Sequence, residues 1–144
     1  MTATTYGRPG RGFGGGYLDD GLSTATPSAL LVMLYDRLVL DLERGELALT
    51  RGDRAAAHEQ LIHAQAIVNE LLHSLNVDVW DGATALASLY RWSLAELALA
   101  NVRGEAAKVL AVRTVVAEPL ADAWRQAAAL SQATGSVTGA GGIG

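Results

Sequence analysis

In four consecutive blocks of this chain, apolar or small side chains recur four and three positions apart, a pattern that buries them only on amphipathic helices packed side by side. The first block runs through Leu31, Tyr35, Leu38, Leu42, Gly45 and Leu49, and the second through Ala57, Leu61, Ala64, Val68, Leu71 and Leu75. The third follows Leu86, Tyr90, Ser93, Leu97 and Ala100, and the fourth Val109, Val112, Val116, Leu120, Trp124 and Ala127. No stretch shows the period of two that a half-buried strand requires.

Capping chemistry places the ends. Thr26 is a preferred N-cap, and Pro27 suits the first helical position, where its missing N–H would have gone unpaired. The first helix therefore opens there and runs to about Thr50, with Gly52 stopping it. Asp53 caps the second helix, which ends near Asn76; the third spans about Asp81 to Val102, and the fourth begins near Glu105 after Gly104. Pro119 removes one backbone donor and crowds the carbonyl one turn back, which predicts a kink or a break in the last helix. Short links favour antiparallel neighbours. The expected fold is all-α, an antiparallel up-down four-helix bundle over residues 20–132, with a flexible Gly-rich arm at 1–19 and a disordered tail at 133–144.

Composition narrows the function classes. Half of the 144 residues are hydrophobic, yet no apolar run approaches the roughly 20 residues of a membrane-spanning helix. The net charge is −4, and the 11 Lys and Arg residues form no basic cluster, so neither nucleic acid nor a membrane surface is an expected partner. There is no cysteine and no secretory signal pattern, and the expected compartment is the cytoplasm.

Motifs that would carry chemistry fail on context. Gly10, Gly12 and Gly15 match a dinucleotide fingerprint, but that pattern works only between a strand and a helix, and neither is predicted there. Two arginines in the arm, Arg8 and Arg11, would neutralise very few phosphates. His58, His63 and His73 are not four apart, so no two imidazoles share one helix face toward a metal; they are expected to be solvated or capping. No serine sits in a nucleophile elbow. The expected protein is not an enzyme and takes no cofactor or metal.

Apolar residues off the seams are more informative. Met33, Leu40 and Leu47 lie seven apart and two positions beyond seam residues, roughly 200° round the helix; Trp92 and Leu99 stand in the same relation to Tyr90 and Leu97. Two readings fit this second stripe. It wraps the edges of the core, as single surface hydrophobes commonly do, or it forms a groove for a partner helix.

Leu22-Ser23-Thr24-Ala25-Thr26-Pro27, then Leu30 and Met33-Leu34-Tyr35-Asp36, resemble the entry and Leu-Tyr-Asp signature of the flagellin export chaperone family, FliS. Tyr17 stands where that family commonly has a tyrosine ahead of the entry. Ala64-Gln65, Glu70-Leu71 and Ser74-Leu75 resemble its second helix, Leu89-Tyr90 and Ala100-Asn101 its third, and Trp124 its fourth, so the likeness covers about residues 17–130. Asn76, Ala85 and Pro119 depart from the family pattern.

The resemblance implies a helical protein that binds the C-terminal, helix-forming segment of flagellin in the cytoplasm and keeps it from polymerising before export. It implies a free monomer in which Tyr17 and Leu22 lie over part of the partner site. Met33, Leu40, Leu47, Trp92 and Leu99 are the expected remainder of that site. The alternative is a structural bundle that homodimerises through the second stripe and has no secreted client.

Overall fold

A computed structural model describes residues 25–76, 78 and 81–143, with side chains described as far as residue 134. All regular structure among them is helical: α1 Pro27–Thr50, α2 Arg54–Ser74, α3 Gly82–Arg103, then α4 Ala106–Val112, a π-helical turn at Arg113–Ala117 and α5 Glu118–Ile143.

The ends follow the local chemistry of the sequence. The amide of Ala29 donates to Thr26 Oγ1 at 3.2 Å, so Thr26 caps α1 with Pro27 at its first position. At the other end Gly52 takes φ +78°, its amide donates to Leu49 O and the amide of Asp53 donates to Ala48 O. Those two bonds satisfy carbonyls that α1 would otherwise leave bare, and the left-handed residue that makes them is cheapest as glycine. Asp53 then accepts from the amide of Ala56 at 3.1 Å and starts α2. Arg54 reaches from the first turn of α2 to the carbonyls of Asn101 and Val102, at 2.9 and 3.0 Å, and closes the end of α3.

Pro119 does not break the chain, which stays helical from Ala106 through Ile143. The disturbance takes the form of a π turn, in which the amide of Glu118 donates five residues back to Arg113 O, immediately before Pro119. A wider turn just ahead of the ring is one of the few ways a helix absorbs a proline without interruption. The same helix carries its backbone through the small-residue stretch beyond 132 that composition assigns to a tail.

The chain divides into two units, Leu34–Ala123 and Met1–Met33 with Trp124–Gly144. In the second, the described residues are the opening of α1 and the later part of α5. In the first, α2 packs on α3 and α3 on α4. Its core holds Tyr35, Leu38, Leu42, Leu61, Ile67, Leu97, Val109 and Val112, all at 2% exposure or less. Burying each such aliphatic side chain contributes about 1.5–3 kcal/mol. Every expected seam residue from Tyr35 to Leu71 is buried, as are all five on α3, whereas Leu31 and Leu75 are half-buried and Ala127 is exposed. Gly45 belongs in the seam because a Cβ there would stand 2.9 Å from Leu61 Cδ2, so α1 and α2 approach closely at that point.

Candidate partner-binding surface

Three polar arrangements inside the Leu34–Ala123 unit fix how α1 is turned. The hydroxyls of Tyr35 on α1 and Tyr90 on α3 meet at 2.7 Å, buried. Burial pushes the Tyr90 hydroxyl above its usual 10.0, with the bond to Tyr35 pulling the other way. Asp41, at 0% exposure, accepts from Arg37 Nε at 3.0 Å through Oδ1 and pairs through Oδ2 with His63 Nδ1 on α2. A buried carboxylate persists only when it is paired and hydrogen-bonded, and here groups from two helices do this. Arg113, opening the π turn, donates twice to Glu46 Oε1, at 2.7 and 3.1 Å, and to Glu118 Oε2 at 2.7 Å. The bonds to Glu46 and then to Glu118 hold its guanidinium above the ordinary arginine value, so it stays charged.

His63 is therefore neither solvated nor capping; it is half-buried against Asp41. His58 meets Asn101 Nδ2 at 2.9 Å, linking α2 to α3, and His73 Nδ1 lies 2.8 Å from Asn69 O on its own helix. Neither Asp41 nor Arg113 was singled out by the sequence. The available signal was position: Asp41 lies three residues after the seam residue Leu38 and one before Leu42, on the flank of the seam where a side chain can border the core.

With those faces turned inward, the off-seam residues fall as follows. Leu47 is 49% exposed and Trp92 37%, while Met33, Leu40 and Leu99 are half-buried. Tyr17 and Leu22 lie outside the described residues. On α1, Leu47 is brought together with Glu43, Glu46, Thr50 and Arg113 around an open recess of about 320 Å³. On α3, Trp92 has the exposed Leu89 one turn before it, a neighbour that the seven-residue spacing missed. Leu110, Val115 and Val102 are also exposed apolar residues, the last at 77%, and no periodicity marked them. Such surface suits burial against another apolar face better than it suits acid–base or nucleophilic chemistry. Among the described residues, no three His, Asp or Glu side chains gather as a metal site would require, and no helix is long and apolar enough to cross a membrane.

Comparison with known proteins places this chain in a family. The flagellar secretion chaperone FliS of Bacillus subtilis (strain 168) is 29% identical over 111 residues, 77% of this chain and 82% of that protein. The flagellar secretion chaperone FliS of Salmonella typhimurium (strain LT2) is 31% identical over 112 residues, 76% of this chain and 82% of its own. The family model of flagellar protein FliS matches residues 14–131, which take in all of α1 to α4, the π turn and the first half of α5, and on that match the chain belongs to the FliS family of flagellar secretion chaperones.

Proposed function

We propose that this protein binds the C-terminal, helix-forming segment of flagellin in the cytoplasm, holds it unable to polymerise and releases it for export. It acts by binding alone, as a monomer when free, without catalysis, cofactor or metal and with no part for nucleic acid or membrane. The observation that carries the reading is the apolar surface at Leu47 and Trp92, exposed on helices whose opposite faces are already filled. Family membership supports the client. In this reading the helices run up-down-up-down, as their short links favour. Met33, Leu40, Leu47, Trp92 and Leu99 meet the client, and Tyr17 with Leu22 covers part of the same site until it arrives.

A disordered amphipathic segment gains its helix only by burying its apolar face, so apolar grooves on a bundle suffice to fold and occupy it. Co-purification with the host's flagellin, whole and lacking its C-terminal segment, tests the proposal. Retention of the whole flagellin alone is the expected result, and equal retention of both would overturn it. Mass measured by size exclusion distinguishes the homodimer, which would stay dimeric on dilution.

A further inference from the structure

The outer face of α1 carries a pattern of charge that the apolar stripe alone does not explain. Each stripe residue is followed three positions later by a polar or acidic side chain and four positions later by arginine: Met33 by Asp36 and Arg37, Leu40 by Glu43 and Arg44, Leu47 by Thr50 and Arg51. At 100° per residue Arg37 and Arg44 lie about 40° to one side of the stripe and Asp36, Glu43 and Thr50 about 60° to the other; Arg51, one residue past the end of α1, keeps the helical spacing because its amide donates to Leu47 O at 3.0 Å. Arg37 is taken by Asp41. Glu43, Arg44 and Arg51 are exposed, and no ion pair among the described residues engages them. On the acidic side the recess beside Leu47 adds Glu46, whose Oε1 takes both bonds from Arg113. Arg113 there faces Glu46 and Glu118 as well as the nearby Glu43, so carboxylates outnumber the one cation.

An apolar seam flanked by opposite charges on its two sides discriminates between directions of a docked helix, because reversing the helix exchanges its flanks. We propose that the Leu40–Leu47 face of α1 is a polarised docking rail: it seats an amphipathic helix with acidic residues over Arg44 and Arg51 and basic residues over Glu43. Charge thus fixes the direction in which that helix lies. The inference rests on the client reading above and takes the flagellin C-terminal segment as the occupant.

Full-length protein carrying Glu43→Lys, Arg44→Glu or Arg51→Glu is titrated with the flagellin C-terminal segment as a peptide, at low salt and at about 0.5 M salt, where exposed charges are screened. Circular dichroism checks that each variant keeps its helix. Each reversal should weaken binding about fivefold at low salt, with the difference shrinking at high salt. A second peptide, with its Asp and Glu changed to Asn and Gln, should become insensitive to the two arginine reversals and stay sensitive to Glu43→Lys. If all three reversals bind within twofold of the parent while Leu47→Asp binds poorly, the stripe is used without its charged flanks and the rail is overturned alone. If Leu47→Asp also binds normally, or the parent does not bind the peptide, the client reading fails and the rail with it.

Discussion

The hydroxyl pair between Tyr35 and Tyr90 gives a sharp test of how α1 is held against α3. The two rings are 0% and 2% exposed, and their oxygens are 2.7 Å apart. Replacing Tyr35 by Phe keeps the ring and strips the Tyr90 hydroxyl of its partner on α1. A buried polar group left without a partner costs about 1–3 kcal/mol, whereas exchanging both partners for apolar groups of the same shape is close to neutral. Each single Phe variant should therefore lose about 1–3 kcal/mol in urea unfolding, and the double variant less than the sum, with a coupling of about 1 kcal/mol or more. The same pair has a pH signature. Because burial raises Tyr90 above 10.0, the folded state keeps this proton where the unfolded chain has lost it. Stability is then unaffected below about pH 10 and falls as pH rises past it, more steeply in the parent than in Tyr90→Phe. Additive single variants, together with an alkaline loss that Tyr90→Phe leaves unchanged, would refute the idea that this bond sets the contact.

Four further substitutions probe the two sides of α1. Leu38 is 1% exposed, so Leu38→Asp buries a charge with no partner and should cost more than about 4 kcal/mol in a thermal melt; Leu47→Asp should shift stability by less than about 0.5 kcal/mol and instead abolish flagellin binding in calorimetry. Asp41→Ala leaves His63 and Arg37 without the carboxylate they share and should cost about 1–3 kcal/mol in denaturant unfolding, a loss below about 0.5 kcal/mol marking the network as dispensable. Gly45→Ala gains about 1 kcal/mol of helix propensity and sets a Cβ 2.9 Å from the buried Leu61, at about 1–3 kcal/mol for overpacking; the melting temperature should fall slightly, and a rise would show that Leu61 has room to yield.

The seams were legible because they depend on spacing alone. Tyr35, Leu38, Leu42 and Leu49 are buried in the register that four-and-three spacing assigns them, and Thr26, Asp53 and Gly52 act at the ends where local chemistry puts them. Pro119 was legible as a disturbance but not in its form. Whether a helix breaks or widens depends on what the carbonyls one turn earlier find to bond, and here Arg113 O receives the amide of Glu118 across a π turn. Pairings between helices were not legible, since nothing in α1 alone says that Asp41 meets His63 or that Glu46 meets Arg113, 67 positions away. The repeat of Arg37, Arg44 and Arg51 was visible in the sequence, but arginines at seven-residue spacing acquire meaning only when the rotation of the helix is known.

That rotation is over-determined, which is why the outer face of α1 can be specified residue by residue. Tyr35 is bonded to α3, Asp41 to α2, and Gly45 lies where a Cβ would stand 2.9 Å from Leu61 Cδ2, so three consecutive turns are each tied to the interior by a different kind of contact. Sliding α1 by one residue would turn it by about 100°, break the hydroxyl pair, strand a carboxylate and press a side chain into Leu61 together. None of these losses could be offset by moving Leu40 or Leu47 inward, because Leu38 and Leu42 already fill the core at 1% and 0% exposure. The helix therefore holds its second apolar row outward at the expense of leaving Leu47 half in water. In the proposed reading a partner helix that covers the row recovers that burial, and the charges at its edges set which way round the partner lies.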